Sequence, residues 1–324
     1  MDTTLLNIKD LQIWYKTYRG NAKVVDKINF YINKGEKVAL VGESGCGKTT
    51  TMKSILQILD ARNSIIPNGE ILYKGKDILK MTYNDLKDIR RKEVSMISQA
   101  PSAALNPVYT VGEQIIDIIK YSDQFKKMSK KEMKKLAFEK IKDVMIPDQE
   151  RIYNTYPHQL SGGMKQRICI AMSLVVPKSL LIADEPGTAL DVTIQKQIHK
   201  LLEQLVEEKN MSLIMITHSL AVAREMTERI YVMYAGNIVE TCKTIELFNN
   251  PLHPYTQGLM KCVPRLTGGG IFEGIYGYVP DYINPAPGCR FSPRCSYAME
   301  ICNRKKPPVF AIDKEHQVSC FKYS

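Results

Sequence analysis

Nine residues limit what this chain can fold into more than any others: GESGCGKTT, residues 42–50. They fit G-x-x-x-x-G-K-[ST] from Gly42 to Thr49. KVALVG before them reads as a strand ending in glycine, and KTTTMKSILQIL after them has helical spacing, which is the context such a loop requires. The glycines let backbone N–H groups wrap a phosphate, and the helix N-terminus adds positive dipole. Lys48 reaches outer phosphates and the Thr49 hydroxyl suits Mg²⁺. An ordinary glycine-rich turn is the plainer reading, but the Lys-Thr pair and the flanks argue against it. Cys46, inside the loop, reads as a small filler rather than a redox sensor.

Strand and helix patterns alternate from Leu5 to about Asn249, an α/β order without internal repeat. LLIAD and LIMITH read as buried parallel strands, and residues 112–156 read as helical throughout, a helical insert in a sheet-bearing domain. The stretch SLLIADEPGTALD leads four apolar residues to Asp184 and Glu185 at a strand end. There one carboxylate can serve a Mg²⁺ shell and the next can take a proton from an attacking water. An acidic pair at a strand end is often only a surface turn, so this pair needs support from elsewhere in the chain.

The support is LSGGMKQR, residues 160–167, just upstream. The loop at 42–50, LSGGMKQR, DEP…ALD and ITH, in this order and spacing, resemble the ATP-binding subunit of an ABC transporter over about the first 250 residues. The resemblance implies a P-loop NTPase fold: a RecA-like core with a helical subdomain near residues 100–165. It implies ATP and Mg²⁺ as cofactors, held by Gly42, Ser44, Gly45, Cys46, Gly47, Lys48, Thr49 and Thr50. Tyr15 would stack on adenine, with Trp14 beside it. Gln99 would sense Mg²⁺ and the attacking water, Asp184 would orient the metal shell, Glu185 would be the general base and His218 would contact the γ-phosphate. Thr49, Gln99 and Asp184 are thus the Mg²⁺ residues. Ser161, Gly162 and Gly163 would close over ATP on an opposing subunit, with Asp191 at the junction. Three departures stand out: Gly187 where Ser or Thr is common, Ser219 after His218 where Asp is common, and Ser98 and Ala100 flanking Gln99 where Phe and Asp are common.

After NNPLHPYTQGL the character changes to Gly, Pro and Tyr, which places a boundary near Pro251 and a small irregular unit over 251–324, after a cassette over 1–250. NNPLHPYTQGLMKCVPRL resembles the His-Pro-Tyr segment of the oligopeptide and dipeptide import subfamily, which includes nickel importers. That subfamily implies a second, non-identical ATP-binding subunit, two transmembrane permeases and an extracytoplasmic substrate-binding protein. Peptide, nickel or another small solute stays open as cargo.

Four of the eight cysteines, Cys289, Cys295, Cys302 and Cys320, sit late in the chain, separated by five, six and seventeen residues. This is not the paired C-x₂-C spacing of most zinc modules. Four thiolates suffice for a 4Fe-4S cluster, and the pattern resembles that of peptide-importer subunits carrying one. Structural zinc (Zn²⁺) and reduced or disulfide-bonded cysteines remain alternatives, and a metal crosslink would stabilise a tail with few apolar runs.

The first residues, MDTTLLNIKDLQIWYK, lack a basic segment followed by an apolar run, and no stretch has the roughly 20 apolar residues of a membrane span. The expectation is a peripheral protein at the cytoplasmic face of the cell membrane. The formal charge of +11 suits nucleic acid, an acidic membrane or an anionic ligand, but much of it lies in QFKKMSKKEMKKL, read as a solvated helix face. A non-transporter ABC protein acting on ribosomes or DNA would join two cassettes or insert a long coiled coil; one cassette and a short insert argue against it, and no nucleic-acid partner is expected. A module that only captures ATP would lack the base or the sensor, and Glu185 and His218 are both present.

Overall fold

The computed structural model describes residues 3–262 and 274–324. The end of the His-Pro-Tyr segment (263–266) and the start of the glycine-rich stretch (267–273) lie outside the described residues. The chain divides into two compact units, the first made of residues 1–81 and 215–324 and the second of residues 82–214.

The first unit opens with β1 (Thr4–Thr17) and β2 (Gly20–Asn33), a long antiparallel pair. The strand β3 (Lys37–Val41) leads into α1 (Lys48–Ile55), and β4 (Ser64–Tyr73) and β5 (Lys76–Asp77) complete a four-stranded sheet in the order β2-β1-β4-β5. In β1 the buried residues switch from even positions, Leu6 and Ile8, to odd ones, Leu11 and Ile13. A register shift there, with Asp10 at φ 45°, supplies the extra residue that reverses the alternation.

The second unit runs through α2 (Tyr83–Asp88), β6 (Val94–Ile97), α3 (Pro101–Ala104), α4 (Val111–Lys120), α5 (Lys130–Asp143), α6 (Gln149–Tyr153), α7 (Gly162–Ser173), β7 (Leu180–Asp184) and α8 (Val192–Glu208). The continuous helical reading of residues 112–156 is corrected here to three helices. Thr110 with Glu113 and Ser129 with Glu132 form capping boxes that start α4 and α5 afresh, and Asp148 at φ 55° caps α6 from a left-handed backbone. The lysines of α5 lie mostly on its exposed side. Every residue of β7, which pairs in parallel with β6, is buried, as its near-continuous apolar run requires.

The strand β8 (Ser212–Thr217) contributes residues to both units. The chain then returns to the first unit with α9 (Leu220–Met226), β9 (Arg229–Tyr234), β10 (Asn237–Lys243), α10 (Thr244–Asn249), α11 (Pro254–Lys261), α12 (Glu300–Arg304), β11 (Phe310–Ala311) and β12 (Gln317–Val318). There β3 pairs in parallel with β9, and β9, β10, β12 and β11 follow as antiparallel neighbours. The C-terminal residues therefore extend the sheet at β10. Tyr255 and Phe291 share one core with Val41, Val232, Tyr234 and Val239. Among the described residues no helix is long and apolar enough to cross a membrane.

Candidate functional site

In the first unit the loop of residues 42–47 is shaped by close approach. A Cβ on Gly42, at φ 154°, would lie 2.0 Å from the Met233 carbonyl oxygen, and Gly47 caps α1 at φ 106° against the carbonyl of Val24. Only glycine fits either position without moving backbone. The Cys46 carbonyl accepts from the Gly236 amide at 2.9 Å, tying the loop to the β9–β10 turn. Lys48 is buried, and its Nζ donates to the carbonyls of Gly42 (2.7 Å) and Glu43 (2.9 Å). Ser44 and Gly45 form the exposed tip, while Thr49 and Thr50 are half-buried on α1. Cys46 is buried, and burial raises the pKa of its thiol despite the Lys48 ammonium nearby.

Successive side chains of a strand point to opposite faces, which separates Trp14 from Tyr15. The Tyr15 hydroxyl lies 3.4 Å from Thr50 Oγ1 on α1, whereas Trp14 has the Lys23 ammonium 5.5 Å from its ring. His218 is exposed just after β8, and Ser219 caps α9 by accepting from the Val222 amide at 3.4 Å. Serine is among the residues best suited to this N-terminal capping position.

In the second unit Gln99 and Glu185, distant in sequence, meet: Gln99 Nε2 donates to Glu185 Oε2 at 3.2 Å. Glu185 has φ 46°, a left-handed backbone that turns the chain sharply after β7, and Asp184 at the strand end is 4% exposed. Gly187 has φ 104°, a conformation in which Ser or Thr would be strained. Ser161 caps α7 through the Met164 amide (3.3 Å) and Asp191 caps α8 through the Ile194 amide (3.0 Å). Local hydrogen bonding therefore holds two residues that the sequence reading assigned only to nucleotide and partner; their place directly before helical runs was the available signal.

The late cysteines converge as free thiols. Cys289 lies near enough to the other three that their ionisation would oppose its own, as Cys302 and Cys320 do for Cys295. The backbone amides of Phe291, Tyr297 and Lys322, each two residues on, favour the thiolates of Cys289, Cys295 and Cys320. Burial still outweighs these amides and pushes the Cys289 thiol up to about 11. Gly288 is required by packing, since a Cβ there would lie 2.1 Å from the Cys302 carbonyl oxygen. Thiols are the donor type that an iron-sulfur cluster takes, but among the described residues no three of these sulfurs lie within 4.8 Å of one another, as ligands of a single zinc would. The Thr49 hydroxyl in the first unit and the Asp184 carboxylate in the second are each of the oxygen donor type that a hard cation such as Mg²⁺ takes.

Among the described residues the only group of potential metal ligands with all donor atoms within 4.8 Å of one another is Glu240, Cys242 and His316. It reads as a staple. Glu240, buried, accepts from the amides of Leu252 and His253, each at 2.8 Å, and lies 2.8 Å from His316 Nε2, so a cation would have to displace existing partners. Sequence reasoning missed this hub, along with Arg294 and Tyr282. Arg294 stands beside a cysteine, and no local pattern marked it.

Residues 25–188 match the family model for the ABC transporter, and residues 239–302 match that for the oligopeptide/dipeptide transporter, C-terminal region. The chain belongs to the ABC transporter ATPases. Among curated proteins, it is 44% identical to the oligopeptide transport ATP-binding protein OppD of Bacillus subtilis, covering 98% of this chain and 88% of that one. It is 42% identical to the dipeptide transport ATP-binding protein DppD of the same organism, covering 98% and 94%. Among solved structures, it resembles the dimeric ATP-binding cassette MJ0796 bound to ADP and Pi with a TM-score of 0.66 at 28% identity, over 74% of this chain and 98% of that one.

Proposed function

We propose that this chain is the ATP-hydrolysing subunit of a peptide importer. It works at the cytoplasmic face of the membrane with a second ATP-binding subunit, two permeases and an extracytoplasmic binding protein. Residues 1–250 form the cassette, with a helical subdomain near 100–165, and residues 251–324 form an importer-type extension. The hydrogen bond between Gln99 and Glu185 carries the catalytic reading, because it joins a carboxylate at a strand end to an amide that can orient water. The peptide cargo rests on the oligopeptide and dipeptide transport proteins to which the chain is 44% and 42% identical.

Tyr15 stacks on adenine. Lys48 and the amides of the loop neutralise the phosphates. Glu185 accepts the proton of the attacking water, Gln99 orients that water, and His218 donates to the γ-phosphate. Ser161, Gly162 and Gly163 present a hydroxyl and amides to ATP held by the partner subunit, with Asp191 at the junction. Thr49, Gln99 and Asp184 would hold Mg²⁺, which would offset phosphate charge. The four late cysteines would hold a 4Fe-4S cluster, with zinc the competing occupant, in a structural role.

Glu185→Gln in the assembled transporter should bind ATP normally and lose roughly 10²–10⁴-fold in turnover, the span of a removed general base. Turnover at the wild-type rate would remove Glu185 from that role.

A further inference from the structure

The tip of the phosphate-binding loop is held from the C-terminal region at three points. The Tyr255 hydroxyl accepts from the Glu43 amide at 2.9 Å, the Arg294 guanidinium pairs with the Glu43 carboxylate at 3.0 Å, and the Tyr282 hydroxyl donates to the Gly45 carbonyl at 3.0 Å. We propose that Arg294, Tyr282 and Tyr255 are positioning residues for nucleotide binding, with Arg294 also cancelling a carboxylate that would otherwise repel the phosphates. The proposal rests on the ATP-binding reading and adds to it the residues that set affinity from outside the cassette motifs.

Each contact has a distinct physical effect. Gly45, at φ 77°, has nothing within 4 Å of where a Cβ would stand, so no packing holds the tip on that side. Because the peptide unit is planar, pinning the Gly45 carbonyl fixes the orientation of the whole Gly45–Cys46 peptide. Tyr255 is fully buried beside Tyr234, with ring centroids 4.6 Å apart, so its hydroxyl is a rigid post rather than a mobile tether. Glu43 places a negative charge within the loop that receives a polyanion, and like charges at short range repel strongly where water is scarce.

Arg294 is fixed for this task. Its side chain is 6% exposed, and beyond Glu43 it donates to the carbonyls of Tyr276 (2.9 Å) and Ile275 (2.7 Å) and to the Tyr234 hydroxyl (3.3 Å). It also sits on the tight turn between Cys289 and Cys295, where the Ser292 amide donates to the Cys289 carbonyl and the Cys295 amide to the Ser292 carbonyl. Whatever orders that turn therefore also aims the guanidinium at Glu43.

The test is calorimetric titration of the full chain with MgADP, with melting temperature and bound iron and zinc measured on every variant. Tyr282→Phe keeps the ring and removes one hydrogen bond, and should weaken MgADP roughly two- to tenfold with an unchanged melting temperature and metal content. Arg294→Met should weaken it by roughly tenfold or more. Adding Glu43→Gln to Arg294→Met should recover much of that loss, which a merely structural arginine would not allow. Wild-type affinity in both single variants, or a double variant no tighter than Arg294→Met, would overturn the proposal. A wild-type chain that binds no MgADP would overturn the nucleotide reading and this proposal with it.

Discussion

Gly162 and Gly163 open α7 in a motif read from sequence as a phosphate contact, and their missing side chains also settle a packing question. A Cβ on Gly162 would lie 2.9 Å from Leu190 Cδ2, and one on Gly163 would lie 2.8 Å from Ile194 Cγ2. The first neighbour is the end of a rotatable side chain. The second is a branch on Cβ inside α8, where rotamers are few. Both alanines would gain similar helix propensity, so the difference between them isolates the clash. Gly163→Ala should melt lower than Gly162→Ala, by an overpacking cost of about 1–3 kcal/mol read from thermal or urea unfolding. Equal melting would show that α8 yields at Ile194. Glu185 illustrates the same point for backbone: its residue type was legible in DEP, but its φ of 46° was not, because a left-handed glutamate is imposed by the surrounding fold and not by its own preference.

The helix α11 carries a pH dependence that its sequence, HPYT, only hinted at. Pro254 at its first position and His253 before it mark a helix start. In the structure the His253 ring is the cap: Nδ1 accepts from the Tyr255 amide at 3.0 Å, and the backbone N–H of His253 is held by Glu240. Burial lowers the His253 pKa from 6.5 to about 4, against the pull of the Glu240 carboxylate. The folded state thus binds fewer protons than the unfolded state between these values, so stability is complete above pH 6.5 and falls as pH drops towards 4. The full loss is roughly 3 kcal/mol from the shift, and the protonated ring would also lose its cap. His253→Asn keeps a side-chain acceptor without the titration, and its melting temperature should fall less steeply from pH 7 to pH 5 than that of the wild type, at roughly the scale of this linkage. Parallel curves would place the acid sensitivity elsewhere.

At the scale of the whole molecule, the residues after Pro251 are built into the first unit: β12 pairs with β10, Glu240 gathers Leu252, His253 and His316, and the cysteine turn delivers Arg294 to the phosphate loop. If a 4Fe-4S cluster is the occupant, anaerobically purified chain should be coloured and carry about four irons; Cys302→Ser, changing the buried member of the set, should bleach it. A colourless chain with a single zinc would assign the four thiols to that metal instead. The local motifs carried the rest of the reading. A phosphate loop, an acidic strand end and a capped signature helix are each complete within about ten residues, so residue type and spacing determined the cassette family and the candidate site residues. Contacts with no local signature were decided only by folding. Arg294 meets Glu43 across 251 positions, and Gln99 meets Glu185 across 86. Such partners are chosen by sheet order and by the core that Tyr234, Tyr255 and Phe291 share, because a side chain's reach is short and only packing can bring distant segments within it.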